Sequence, residues 1–103
     1  MIHIEWTDLA FNELESLSQE IAFKIIRQTD LLKTFPEMGV LLETENSKII
    51  ELRQIILKRK WRVIYDFNDY EKIIYILAVQ NCRQQIPSMR DLHRRKRKID
   101  QIK

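Results

Sequence analysis

Apolar and polar residues alternate most clearly from Trp61 to Phe67. Trp61, Val63, Tyr65 and Phe67 fall on one side, Arg62, Ile64 and Asp66 on the other. A period of two marks a β-strand with unequal faces. It is the middle of three apolar runs between Ile49 and Arg83, separated by Lys58-Arg59-Lys60 and by Asn68-Asp69-Tyr70-Glu71. The runs are rich in Ile, Val, Tyr and Trp, which pack well on a pleated surface. Connections this short join antiparallel neighbours, because a parallel crossover needs a dozen residues or more. The pattern predicts a three-stranded antiparallel meander with a wholly cationic first hairpin tip.

Upstream, Ile2, Ile4 and Trp6 alternate with His3 and Glu5, predicting a short strand with one buried face. Thr7 is placed to cap a helix, and Asp8 suits the positive end of its dipole. Ala10, Leu14 and Leu17 form the apolar stripe, widened by Leu9 and Phe11. Ser16 or Ser18 breaks that helix, and Ser18 can cap a second one carrying Ile21, Ala22, Ile25, Ile26, Leu32 and Phe35 at helical spacing. Pro36 stops it, since the residue before a proline is driven out of the helical region. Gly39, the one glycine, follows where a positive φ is expected.

Residues 40–42 read as a short extended piece and Glu43–Lys48 as an exposed loop. After the meander, Pro87 blocks regular continuation. Residues 89–103 allow a weakly amphipathic helix, with mobility expected where Arg94, Arg95, Lys96, Arg97 and Lys98 repel one another. The fold class expected is α+β: an N-terminal strand, a helical hairpin on one face of the sheet, the meander, and a basic C-terminal tail. Residues 1–90 form the single domain and 91–103 the tail.

The length of 103 residues allows one modest core. No apolar run reaches the 18 residues that suggest a membrane span. The opening MIHIEWTD lacks the basic and apolar regions of a signal peptide. A single cysteine, Cys82, fits a reducing cytoplasm, and with two scattered histidines it offers no zinc spacing. No metal, cofactor, membrane or small-molecule substrate is expected. Charge changes the picture more. Residues 1–47 hold three basic and nine acidic side chains, whereas 48–103 hold fifteen basic and six acidic. One pole therefore attracts polyanions, nucleic acid above all, and the other could take a basic partner.

Four local patterns then resemble the RelE/ParE superfamily of bacterial type II toxins. Ile4-Glu5-Trp6-Thr7 with Ala10 and Leu14 is similar to its opening strand and helix. Leu32-x-x-Phe35-Pro36-x-x-Gly39 resembles a helix ending common on the ParE-like side. Trp61-Arg62-Val63-Ile64-Tyr65 resembles the shared arginine strand, and Ile76-Leu77-Ala78-Val79 with Cys82-Arg83 the last strand and the basic residue after it. The resemblance covers residues 2–90. It implies a toxin neutralised by an extended protein antitoxin, first of all one that cleaves mRNA on the ribosome. The alternatives are a toxin that poisons DNA gyrase without cutting anything, and an inactive member that only binds antitoxin or nucleic acid.

For RNA cleavage, the charge that builds on phosphoryl oxygens needs preorganised cations. The resemblance makes Arg62 the catalytic arginine, and guanidinium forks fit phosphates. Arg53 on the strand before and Arg83 after the last strand complete the expected catalytic cluster. Lys58, Arg59 and Lys60 at the hairpin tip, with Arg94, Arg95, Lys96, Arg97 and Lys98, are the expected nucleic-acid contacts. Proton transfer is the gap: arginine stays protonated, and Ser88 stands near the position where RelE members carry a tyrosine. A lysine pair on the strand before the arginine strand is not clearly matched either. Structural roles compete throughout. Arg62 could pair with Asp66 on its own face, and Trp61, Tyr65 and Phe67 could be core residues instead of base-stacking platforms. Cys82 suits a small buried filler, and His3 and His93 solvated sites.

Overall fold

The computed structural model describes residues 1–42 and 52–102, with side chains described as far as Lys96. The expected loop Glu43–Lys48, the start of the first apolar run at 49–51, and the side chains of Arg97 and Lys98 lie outside the described residues. Strand β1 (His3–Trp6) leads into helix α1 (Asp8–Glu15) and helix α2 (Gln19–Asp30). Then come β2 (Val40–Leu41), β3 (Leu52–Leu57), β4 (Trp61–Asn68), β5 (Ile73–Asn81) and α3 (Met89–Ile102).

The five strands form one sheet in the order β1-β5-β4-β3-β2. The meander is antiparallel as the short turns require, and β1 closes the sheet by running parallel to β5. An α+β architecture thus results, with an added two-residue strand at one edge. Helix α2 is shorter than the spacing through Phe35 suggests: after Asp30 the chain tightens into a single 3₁₀ turn, Leu31–Lys33. Both caps form. Thr7 Oγ1 accepts from the Ala10 amide at 3.3 Å, and Ser18 Oγ from the Ile21 amide at 3.3 Å. Thr7 also donates its hydroxyl to the Ile76 carbonyl at 2.9 Å, tying the start of α1 to the central strand.

The two sheet faces carry different cores. Ala10, Leu14, Ile25 and Leu32 pack on Ile55, Val63, Tyr65, Ile74, Ile76 and Val79, an apolar layer beneath the helical hairpin. On the reverse face Leu42, Leu52, Ile64, Tyr75, Leu77 and Ala78 pack under Leu92 of α3. Strand β5 serves both faces by alternation, and a bulge shifts its parity: Ile64 pairs with Ala78 and Tyr65 with Ile76, so Leu77 and Ala78 both lie in the second core. α3 straddles the boundary drawn at residue 90, and its Leu92 is buried in that second core.

Gly39 corrects one expectation, because no glycine has a positive φ. Its requirement is space. A Cβ there would stand 2.8 Å from the Tyr65 ring and 2.9 Å from the Gln54 carbonyl oxygen. The residues that do adopt positive φ around the first hairpin tip are Lys58 (52°) and Arg59 (57°), at the centre of a turn closed by the Lys60 amide on the Leu57 carbonyl.

Candidate functional site

Register decides where each expected site residue points. Arg53 pairs with Tyr65 and Arg62 with Ile56 across the β3–β4 ladder. Side chains alternate between faces along a strand. Arg53 therefore emerges on the helical-hairpin side with Tyr65, and Arg62 on the α3 side with Ile64. The three arginines do not form one cluster.

Arg53 is committed to a turn. Its Nη1 donates to the Gly39 carbonyl at 2.8 Å and to the Glu37 carbonyl at 3.3 Å. The Tyr65 hydroxyl donates to the Pro36 carbonyl at 2.8 Å and accepts from the Gly39 amide at 3.0 Å. Together they fasten the Phe-Pro-x-x-Gly segment against the sheet. Burial pushes the Tyr65 phenol above its ordinary pKa, so it remains a donor at neutral pH.

Arg62 lies half-buried on the opposite face. Its Nη2 donates to the Cys82 carbonyl at 2.7 Å and its Nη1 reaches Gln54 Oε1 at 3.5 Å. That carbonyl fixes the guanidinium one residue from exposed Arg83. Asp66, the structural partner expected for Arg62, pairs with Lys96 at 2.9 Å instead. The Nε of Arg62 and the Oε1 of its cross-strand neighbour Gln80 are buried without partners among the described residues. A buried donor and acceptor of this kind are costly unless something meets them. An incoming phosphate, peptide group or water could do so.

The basic tail divides. Arg95 is 11% exposed and donates through Nη1 to Glu13 Oε1 and to the Leu77 carbonyl, both at 2.9 Å. Lys96 pairs with Asp66 and sits 4.6 Å above the centre of the Tyr75 ring. Both side chains thus hold α3 to the sheet, whereas Arg94 is exposed. The aromatic reading also resolves: Tyr65 is fully buried, and Trp61 and Phe67 pack against the first core. His3 and His93 are exposed.

Sequence reasoning missed one cationic group. Lys24, Arg27 and Gln28 of α2 face the hairpin tip across an open groove of about 550 Å³, with Lys58 on the far wall and Leu31, Ile56 and Leu57 between. Close approach of the Lys24 ammonium holds Lys58 below the ordinary lysine pKa. The neighbouring Lys58 amine and Glu20, 3.1 Å away, hold Lys24 above that ordinary value. The available signal was sparse but present: Lys24, Arg27 and Lys33 are the only three basic residues before residue 48.

No protein of curated function matches the sequence. The fold recurs in solved structures. A chain of the intact E. coli RelBE toxin–antitoxin complex superposes with a TM-score of 0.67 at 11% identity, covering 82% of this chain and 100% of that one. The archaeal RelE–RelB complex of Pyrococcus horikoshii gives 0.65 at 22%, covering 82% and 98%. The isolated E. coli RelE toxin gives 0.65 at 15%, covering 94% and 98%. At these identities the likeness concerns the fold. Membership rests on sequence, for the family model described as the ParE toxin of the parDE type II toxin–antitoxin system matches residues 4–86. With the Phe-Pro-x-x-Gly turn, the arginine strand and all but the first residue of the five-stranded sheet within that span, the chain belongs to the ParE toxin family of type II toxin–antitoxin systems.

Proposed function

We propose that this toxin arrests growth by gripping a macromolecular target, with DNA gyrase as the family's implied target, and that a cognate protein antitoxin restrains it. The observation behind this reading is the separation of Arg53 from Arg62. A cleavage site needs several cations converging on one phosphoryl group. Here Arg53 faces the other way and its guanidinium is held by the Glu37 and Gly39 carbonyls. The antitoxin follows from relatives solved as RelBE and RelE–RelB complexes.

A second reading, ribosome-dependent mRNA cleavage, is favoured by the Arg62 Nε, unpartnered among the described residues, on a guanidinium held by the carbonyl one residue before exposed Arg83. One experiment separates them. The toxin is induced without a partner, and incorporation of labelled thymidine and labelled methionine is followed in parallel. Gyrase inhibition predicts that DNA synthesis stalls first and that purified protein inhibits supercoiling. An early fall in methionine incorporation, with new mRNA ends inside codons, would overturn the proposal in favour of cleavage. Arg62→Ala serves both readings: toxicity should fall sharply while the protein stays folded, the lost Cys82 and Gln54 bonds costing about 1.5–3 kcal/mol by urea denaturation.

A further inference from the structure

We propose that the groove between α2 and the first hairpin tip is a phosphodiester-binding site for a polynucleotide backbone, separate from the Arg62 face. The inference goes beyond the proposed target, since gyrase on DNA and the ribosome both present such a backbone.

Three cations converge there from two rigid elements, Lys24 and Arg27 from α2 and Lys58 from the turn. Among the described residues only Glu20 is seen to offset them, pairing with Lys24 at 3.1 Å on an exposed surface. Two of the three basic residues in the acidic first 47 positions are thus set against the cationic tip. Like charges repel, so an unliganded cluster of this kind does not stabilise the fold. The turn adds to the cost. Lys58 and Arg59 both adopt the left-handed conformation, where Asn and Gly are the usual occupants of such hairpins. The tip keeps long cationic side chains where the backbone would be better served by small residues.

The alternative occupant is an acidic peptide adding a strand to the exposed edge of β3. That edge is too short. β2 pairs with β3 only at Arg53 and Gln54, and the Leu42 amide bonds the Leu52 carbonyl, so even-numbered residues point their backbone groups outward. Within β3 beyond Gln54, only Ile56 then offers an outward amide and carbonyl. Main-chain pairing supplies the affinity of strand addition, and one residue supplies little. Charge is the groove's main recognition element. Phosphates on a backbone carry the charge complementary to the three cations lining the groove, Gln28 adds a neutral donor, and the Leu31–Ile56 floor can take a sugar or base face.

The test uses the intact chain and fluorescence anisotropy, with salt varied from about 50 to 300 mM to span the range where counterion release is steep. The probes are a single-stranded RNA, a single-stranded DNA of the same sequence, its duplex, and a polyglutamate peptide. Lys24→Ala, Arg27→Ala and Lys58→Ala should each flatten the dependence of log affinity on log salt, by about 0.7 per lost phosphate on a single strand or 0.9 on duplex DNA. Lys72→Ala, whose lysine pairs with Asp69 in the β4–β5 turn, should leave the slope unchanged. Glu20→Gln should tighten binding without removing any cation, and it carries the test should the triple alanine variant fold poorly. The probe bound best identifies the source of the backbone. Equal slopes for wild type and the triple variant, an equal loss with Lys72→Ala, or tighter binding of polyglutamate than of every nucleic acid would each overturn the proposal.

Discussion

The sheet has two outer strands that stop short of covering their neighbours, and the chain treats the two uncovered edges differently. β1 pairs with β5 only as far as Ile76. Past it, the Val79 amide donates to Glu13 Oε1 at 3.0 Å and the Leu77 carbonyl accepts from Arg95. An ion pair between α1 and α3 thus substitutes for a strand. β2 is the shorter cover, and beyond Gln54 the β3 edge is flanked by Lys24, Arg27 and Lys58 with no comparable closure among the described residues. Exposed edges invite pairing and are normally closed or charged. The first edge is finished internally; the second is charged and left to whatever binds it.

The largest effect should come from uncovering the second edge further. Tyr65 holds Pro36 and Gly39, the segment that delivers β2 to β3. Tyr65→Ala should cost about 3–5 kcal/mol, as for other large buried aromatics, measured by urea denaturation. Tyr65→Phe isolates the hydroxyl and should cost about 1–3 kcal/mol by leaving the Gly39 amide and Pro36 carbonyl unpaired. It should also change the alkaline limb. A phenol whose pKa is raised on folding stabilises the fold below its unfolded value near 10.0. That contribution fades as pH climbs from there through the folded value. A phenylalanine variant losing stability above pH 10 as steeply as wild type would assign the alkaline loss to other groups.

Next in size is the finished edge. Arg95→Ala removes the cation that meets both Glu13 and Leu77, and hydrogen bonds to charged groups are worth about 1.5–3 kcal/mol. The loss should appear as a lower urea midpoint and faster exchange of the Val79 amide. Pairing it with Glu13→Ala in a double-mutant cycle gives the coupling directly; additive losses would show that the two side chains close the edge independently. The smallest effect belongs to the tip. Replacing Lys58-Arg59 by Asn-Gly suits the left-handed turn and should raise stability by about 0.5–2 kcal/mol. An unchanged or lower midpoint would mean that contacts of the long side chains outweigh the backbone strain.

Much of this was legible in the residues. The caps at Thr7 and Ser18 and the meander follow from local chemistry that tertiary packing did not override, whereas the helix expected to run to Pro36 ends at Asp30. The separation of Arg53 from Arg62 was harder to read. Parity fixes a face only where one side of a strand is plainly polar, and Ile55-Ile56-Leu57 alternates in position but not in character. The roles of Arg95 and Lys96 were hidden for another reason. A run of five cations looks solvated in isolation, and only the folded sheet brings Glu13 and Asp66 to two of them. Gly39 had the right identity for a reason that sequence conceals, since close approach of Tyr65 depends on a strand 26 residues away.

The parallel pairing of His3 with Ile73 also fixes an order of events during synthesis. The opening strand leaves the ribosome first, yet its place in the sheet does not exist until the final strand has emerged and joined the meander. Contacts this distant in sequence slow folding. Until then the start of the chain waits without its partner, and Thr7 lacks the Ile76 carbonyl that secures the first helix. The finished sheet thus forms only after β5 has emerged, and its faces acquire their opposing surfaces only when nearly all of the described chain is free to fold.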